Sequence, residues 1–357
     1  MDFLTLAAHL LSPPGSGIHT VSNGKERKEQ LQKTLYQSNQ ADIVEQRWKQ
    51  QLKDQLGTKN LALLSYPCDT GAAITRGSNW GPLYLRQLIQ SKNLCDLGDV
   101  AVIPQLLSDE DTSEQTKQRI AMERYPQELR DQLPVAPLSI LKTIAAAFFQ
   151  DYPDQPLLTL GGDHSLSYPI VHGWLKRKKR EKKKLGILHF DAHTDLMPQR
   201  LGIQHCFATW AYHALAELHS AQHLLQVGIR SSAQNQQYWQ QNLGLRQIWA
   251  NEFRHKGLDW AQAQILEHFE KLGVQELYLS VDIDALDSEY ASATGTAEAN
   301  GLFPHEIIQI LQTLKASDLV ITAADLVEVA PPLAKENDET LSWAQLILEQ
   351  MIGNLEA

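Results

Sequence analysis

Cysteine is scarce in this chain. The three, Cys68, Cys95 and Cys206, stand far apart and form no C-x-x-C pair, which excludes a disulfide framework or a thiolate zinc site and makes a reducing, cytoplasmic compartment the default. Basic residues are outnumbered: 32 Lys and Arg against 42 Asp and Glu give a formal net charge of −10. A nucleic-acid partner, which needs a basic surface to displace counterions, is therefore not expected, and cationic small molecules fit better. No run of about 18 apolar residues occurs, so no membrane span is expected. The apolar start, Phe3 to Leu11, follows Asp2 rather than a basic residue and lacks a small-x-small cleavage pattern, so it does not read as a signal peptide.

What is there is a globular composition, 43% hydrophobic and 21% charged. Residues 1–59 read as a Gln- and Lys-rich helical appendage of unknown role, with one helix through Lys25 to Leu56. From residue 60 onward short apolar runs alternate with helical-period segments, the pattern of βα units on a mainly parallel sheet. The runs expected as buried strands are Leu61–Tyr66, Leu157–Leu160, Leu185–Phe190, Leu224–Ile229, Glu276–Val281 and Val320–Val329. Helices are expected over Gly81–Gln90, Pro137–Gln150, Phe207–Leu218, Leu258–Leu272, Pro304–Leu314 and Thr340–Ile352. The basic run Lys176 to Lys184 and the acidic stretch Ser108 to Glu114 read as solvated loops.

Three of the expected strands run directly into clusters of histidine and aspartate: Gly161-Gly162-Asp163-His164-Ser165, Asp191-Ala192-His193-Thr194-Asp195 and Asp282-Ile283-Asp284. Taken alone, an Asp-x-Asp pair is usually a loop or a cap, and Gly-Gly-Asp-His a tight turn. Together, just past the carboxyl ends of parallel strands, they converge where such sheets bind ligands. Unpaired carboxylates beside buried strands find countercharges or become protonated. His164, Asp191, His193, Asp195, Asp282 and Asp284 make a nitrogen and oxygen donor set that suits two manganese ions, with nickel or cobalt possible, better than structural zinc. Bridging aspartates would hold such a pair about 3.5–4 Å apart, the spacing of hydrolytic two-metal sites.

These motifs resemble those of the ureohydrolase family (arginase, agmatinase, formimidoylglutamase), which reads GGDHS, DAHxD and SxDxDxxD in this order; here they are Gly161 to Ser165, Asp191 to Asp195 and Ser280 to Asp287. The resemblance begins near Tyr66 and includes Arg76 to Pro82. It implies a three-layer α/β/α sandwich, a binuclear manganese centre, a homo-oligomer (trimer or hexamer), and hydrolysis of a guanidino C–N bond by water activated between the metals. His164, Asp191, Asp195 and Asp282 would hold one ion, and Asp191, His193, Asp282 and Asp284 the other. Catalytic roles carried over are Asp195 as proton acceptor and donor, Glu328 as partner of the guanidinium, and His205 as proton shuttle, with a packing role the alternative for His205.

The sequence also departs from the family. Met197 replaces the asparagine that in arginases grips the amino-acid end of the substrate, Gly228 to Ser232 lacks their aspartate, and the family's His-Gly-x-Pro becomes His205-Cys206-Phe207-Ala208. Arginase proper is disfavoured, and an agmatine-like substrate is expected. Formimidoylglutamase is the alternative, with Arg200 and Arg230 as candidate receptors for carboxylates. A catalytically silent metal-binding member and a one-metal zinc deacetylase are further alternatives.

Overall fold

A strand buried on both faces needs a continuous apolar run, and each of the six such runs in the sequence forms one. The computed structural model describes residues 1–17 and 24–357. Its strands are β1 (Leu11–Ser12), β2 (Leu61–Tyr66), β3 (Leu94–Val100), β4 (Leu157–Gly161), β5 (Leu185–Phe190), β6 (Leu224–Ile229), β7 (Arg246–Trp249), β8 (Glu276–Asp282) and β9 (Val320–Val327). They form one sheet in the order β1-β3-β2-β4-β9-β8-β5-β6-β7. Every pairing is parallel except that of β1 with β3.

Helices cover both faces. On one, Phe148 and Trp174 from the helices Pro137–Asp151 and Ser167–Lys178 pack with Tyr66 and Tyr278 of the sheet. On the other, Ile265 and Phe269, Ile307 and Leu311, and Ile347 and Met351, from the helices Leu258–Leu272, Pro304–Lys315 and Thr340–Leu355, pack against Leu188, Leu279 and Leu326. The architecture is the expected three-layer α/β/α sandwich.

Several local expectations change. The single helix over Lys25 to Leu56 is two helices, Lys25–Tyr36 and Ala41–Gln55, because Gln37 adopts a left-handed conformation (φ 51°) that ends the first. The stretch before Lys59 is packed on the body: Phe3, Leu10, Trp48 and Leu52 join the core on the first face, and Leu11 pairs with Val100 at the sheet edge. The basic run is not wholly a loop. Its first three residues finish the helix Ser167–Lys178, and Lys178 is buried against Glu276 at 3.1 Å. Strand β3 escaped the apolar-run criterion because Asp96 and Asp99 interrupt it; both are buried on Arg86, which approaches Asp96 Oδ2 at 2.8 Å.

Phe3 is fully buried with its ring 5.6 Å from Phe148 and 5.9 Å from Tyr152. Phe3→Ala is expected to lower stability by about 3–5 kcal/mol. Denaturant unfolding followed by circular dichroism measures this, and a midpoint unchanged from the parent would show that the first helix contributes nothing to the core.

Candidate active site

The carboxyl ends of four adjacent strands, β4, β9, β8 and β5, bring the sequence clusters together. The turn after β4 carries His164, with Gly162 packed so closely under Cys68 that a Cβ would lie 2.0 Å from its carbonyl oxygen. Asp191, His193 and Asp195 follow β5, Asp282 ends β8 with Asp284 just beyond, and Glu328 follows β9. Asp195 (φ 50°) and Glu328 (φ 61°) both take left-handed backbone, a strained conformation for residues with side chains that is concentrated at functional sites.

His164 Nδ1 lies 3.3, 3.2 and 3.1 Å from carboxylate oxygens of Asp191, Asp195 and Asp282. His193 Nδ1 lies 3.3 Å from Asp191 and 3.1 Å from Asp284. Asp191 thus belongs to both groups. Among the described residues the ion pairs of these four aspartates are all with histidine, never with lysine or arginine.

The tautomer of His164 decides what this arrangement can hold. Three hydroxyls, of Ser167, Tyr278 and Ser280, donate to Asp325. With its proton committed there, Ser280 Oγ must accept from His164 Nε2 at 2.9 Å. In neutral His164 the lone pair on Nδ1 then faces three carboxylate oxygens, and this buried atom has no hydrogen-bond partner. Donors about 2.1 Å from one ion and at right angles lie about 3 Å apart, so the spacing fits a cation. The residues present fit a divalent metal: His164, Asp191 and Asp195, with His189, are close enough together to hold one, and so are Asp191, His193 and Asp284.

His189 lies in the same cluster, but both its nitrogens are engaged: Nε2 with Asp191 at 2.8 Å and Nδ1 with Gln226 at 3.0 Å. It supports a ligand rather than being one. Other supporting groups are Trp210, whose indole donates to Asp195 at 2.9 Å and stacks near His164, and Thr296, which donates to Asp284 at 2.9 Å. None stood out in the sequence, although Ser280 and His189 sit in or beside the motifs.

Crowding shifts the acidity of these groups. Burial and the neighbouring Asp191 push the Asp195 carboxyl well above the carboxylate range, and burial with Asp284 and Asp191 does the same for Asp282. Burial, then Asp282 and Asp163, raise Glu328; its Oε1 accepts the backbone N–H of His164 at 2.9 Å. Burial alone would lower His164, yet the Asp191 and Asp282 carboxylates hold it well above its ordinary value.

Two sequence candidates are placed elsewhere. His205 stacks on Tyr168 (5.1 Å, 10°) and beside His213, outside the cluster; the substitution of the following glycine by Cys206 goes with a cap to the turn Phe207–Thr209. Arg230 is not free to receive a carboxylate, because it donates to six backbone carbonyls, those of Gly228, Asp284, Ala285, Leu286, Glu298 and Ala299. It staples the loop after β8 to β6. Arg200 remains available: with Met197, Ser231 and Trp239 it lines a cleft of about 320 Å3 that reaches His193 and Asp195. Two roomier concavities, of about 540 and 490 Å3, contain none of the clustered groups.

The model of the arginase family matches residues 59–353. The chain belongs to the arginase family. This sets aside the zinc deacetylase alternative and makes the chain a hydrolase of C–N bonds in linear amidines, in a family that uses a binuclear metal centre. The arginase-family chain is 28% identical to the guanidinobutyrase of Pseudomonas aeruginosa over 315 residues, 83% of this chain and 87% of that one. It is 34% identical to the mitochondrial agmatinase of Gallus gallus over 197 residues, 54% of this chain and 55% of that one. Its fold matches that of formimidoylglutamase from Bacillus subtilis with a TM-score of 0.66 at 22% identity, covering 84% and 87% of the two chains. Among the described residues no helix is long and apolar enough to cross a membrane.

Two measurements follow. A cation entering the cluster displaces the proton that His164 and the raised carboxyls otherwise hold, so manganese affinity should rise with pH and binding at pH 7 should release protons. Calorimetry in buffers of different ionisation heat reads this, and heats independent of buffer would contradict it. Arg230→Lys can satisfy at most three of six carbonyls and should lower stability by about 2 kcal/mol or more, read as a shifted denaturation midpoint.

Proposed function

We propose that this chain hydrolyses the guanidino C–N bond of an ω-guanidino acid, releasing urea and an amino acid, with two divalent cations. Manganese suits this oxygen-rich donor set, and nickel or cobalt are the alternatives. His164, Asp191, Asp195 and Asp282 would hold one cation, and Asp191, His193, Asp282 and Asp284 the other. Two such ions would supply the Lewis acidity that makes water a nucleophile near neutral pH.

The protein's own groups do the rest. Glu328, buried and without a cationic partner among the described residues, offers its carboxylate to the planar guanidinium, and pairing there would place the trigonal carbon beside the cluster. Asp195 is held by the Trp210 indole with one oxygen toward His164. It takes the proton of the attacking water and passes it to the departing amine.

The observation that carries the choice of acid is Arg200, the charged side chain, apart from the clustered residues, in the cleft that reaches His193 and Asp195. A substrate carboxylate would pair with it, whereas the ammonium of agmatine would meet a like charge. The similarity to a guanidinobutyrase over most of both chains supports the same reading. Agmatine remains the second reading, favoured by Glu298, which lies 3.6 Å from His193 Nε2 and keeps its side chain 40% exposed. Formimidoylglutamate, with two carboxylates, loses support because Arg230 is fully engaged.

The test is urea release by manganese-loaded protein from 4-guanidinobutyrate, agmatine and arginine, with formamide release from formimidoylglutamate measured in parallel. The guanidino acid should be the best substrate. Arg200→Met should raise its KM about 10- to 100-fold, the worth of a charge-assisted pair, and leave agmatine no worse. Asp284→Ala and Glu328→Ala should abolish turnover. Urea from agmatine alone would replace the first reading with the second, and no turnover of any compound with two metals bound would favour a silent family member.

A further inference from the structure

We infer that Gln226 is a positioning residue, fixing the tautomer of His189 and through it the hydrogen bonding of Asp191, the carboxylate common to both groups of the cluster. Only its statement about cation affinity rests on the function proposed above.

Gln226 is fully buried in the middle of β6. It pairs in register with His189 on β5 and with Gln247 on β7, so three polar side chains sit side by side across three strands where parallel sheets ordinarily carry aliphatic residues. Buried polar groups in such a place must satisfy one another. Their directions can be assigned without ambiguity. The carbonyl of Thr194 can only accept, so the Gln226 group 2.7 Å from it is the amide nitrogen. The second proton of that nitrogen meets His189 Nδ1 at 3.0 Å, which makes Nδ1 an acceptor. His189 therefore carries its proton on Nε2, 2.8 Å from Asp191 Oδ2.

The same reasoning runs outward. Gln226 Oε1 accepts from Gln247 Nε2 at 2.8 Å, and Gln247 Oε1 accepts from the indole of Trp249 at 2.8 Å. An indole can only donate. The chain Trp249, Gln247, Gln226, His189, Asp191 is thus polarised in one sense, every proton pointing toward the shared carboxylate, and aligned bonds of this kind strengthen one another. The bond to Thr194 adds a second effect. Thr194 stands between His193 and Asp195, so one amide also pins the turn in which Asp195 takes its left-handed conformation.

The experiment uses full-length protein with 15N-histidine, the His189 resonances being identified by their loss in His189→Asn. In metal-free wild type, Nδ1 of His189 should resonate as an unprotonated nitrogen and Nε2 as a protonated one. In Gln226→Glu the ionised side chain cannot donate, so at a pH high enough to ionise it Nδ1 should move to the protonated range. Gln226→Met, which removes both donated bonds and the one accepted from Gln247 at similar volume, should weaken manganese binding about 10- to 100-fold by chelator competition, the usual effect of losing a partner behind a ligand. Gln247→Met, which leaves the donor in place, should lose less. A role in packing alone would lower the melting temperature without moving the His189 resonances or the affinity. A protonated Nδ1 in wild type, an unmoved Nδ1 in Gln226→Glu, or wild-type affinity in Gln226→Met would overturn the assignment. If Gln226→Glu fails to fold, the wild-type spectrum and Gln226→Met decide. Wild-type protein that binds no divalent cation yet shows the expected tautomer would defeat the proposed function and leave the assignment of Gln226 standing.

Discussion

Five carboxylates, those of Asp191, Asp195, Asp282, Asp284 and Glu328, meet at the ends of four parallel strands, and no lysine or arginine among the described residues neutralises the aspartates. In so buried a place such repulsion is relieved by protons or by cations. The surrounding residues are arranged for the second. Ser280 turns the His164 lone pair inward, Trp210 and Thr296 each bind one carboxylate oxygen, and His189 binds another. Ser280 accepts and the other three donate, and each donor binds the carboxylate oxygen that faces an imidazole nitrogen of the cluster, fixing its place there.

The cleft is built from different parts. Glu328, proposed to meet the guanidinium, follows a strand end and inherits the rigidity of the sheet, whereas the cleft residues Met197, Arg200 and Ser231 lie in connecting segments and Trp239 in the helix Gln236–Leu243. The departures from arginase seen in the sequence fall in these loops. Chemistry and selectivity can therefore vary separately, a division common where loops carry function on a fixed scaffold.

The sheet was legible because burial on both faces leaves a plain signature, as at Leu185–Phe190 and Leu224–Ile229, which match the observed strands at both ends. The six acid and imidazole residues were legible because ligand-type residues cluster just after such runs. What stayed hidden depends on partners far away in sequence. Asp96 and Asp99 mask β3 until Arg86 is seen to pair them. Arg230 looks like a free cation until six carbonyls are found around it, and His205 matched a position without matching a place. Gln226 and Gln247 carry no motif at all; only the register of three strands reveals that they adjoin.

Strand β9 is the last in the chain, yet it lies in the middle of the sheet, bonded to β4 on one side and β8 on the other. Before residues 320–327 are made, the earlier strands belong to two separate blocks of the sheet, β1 to β4 and β5 to β8, with no strand pairing between them. Strands β5 and β8 pair directly, so the four aspartates and His193 already share one block, whereas His164, after β4, belongs to the other and meets them only when β9 is inserted. Completion of the His164 group is thereby deferred to the last strand, and a prematurely terminated product is left as two half-sheets, each with an open edge.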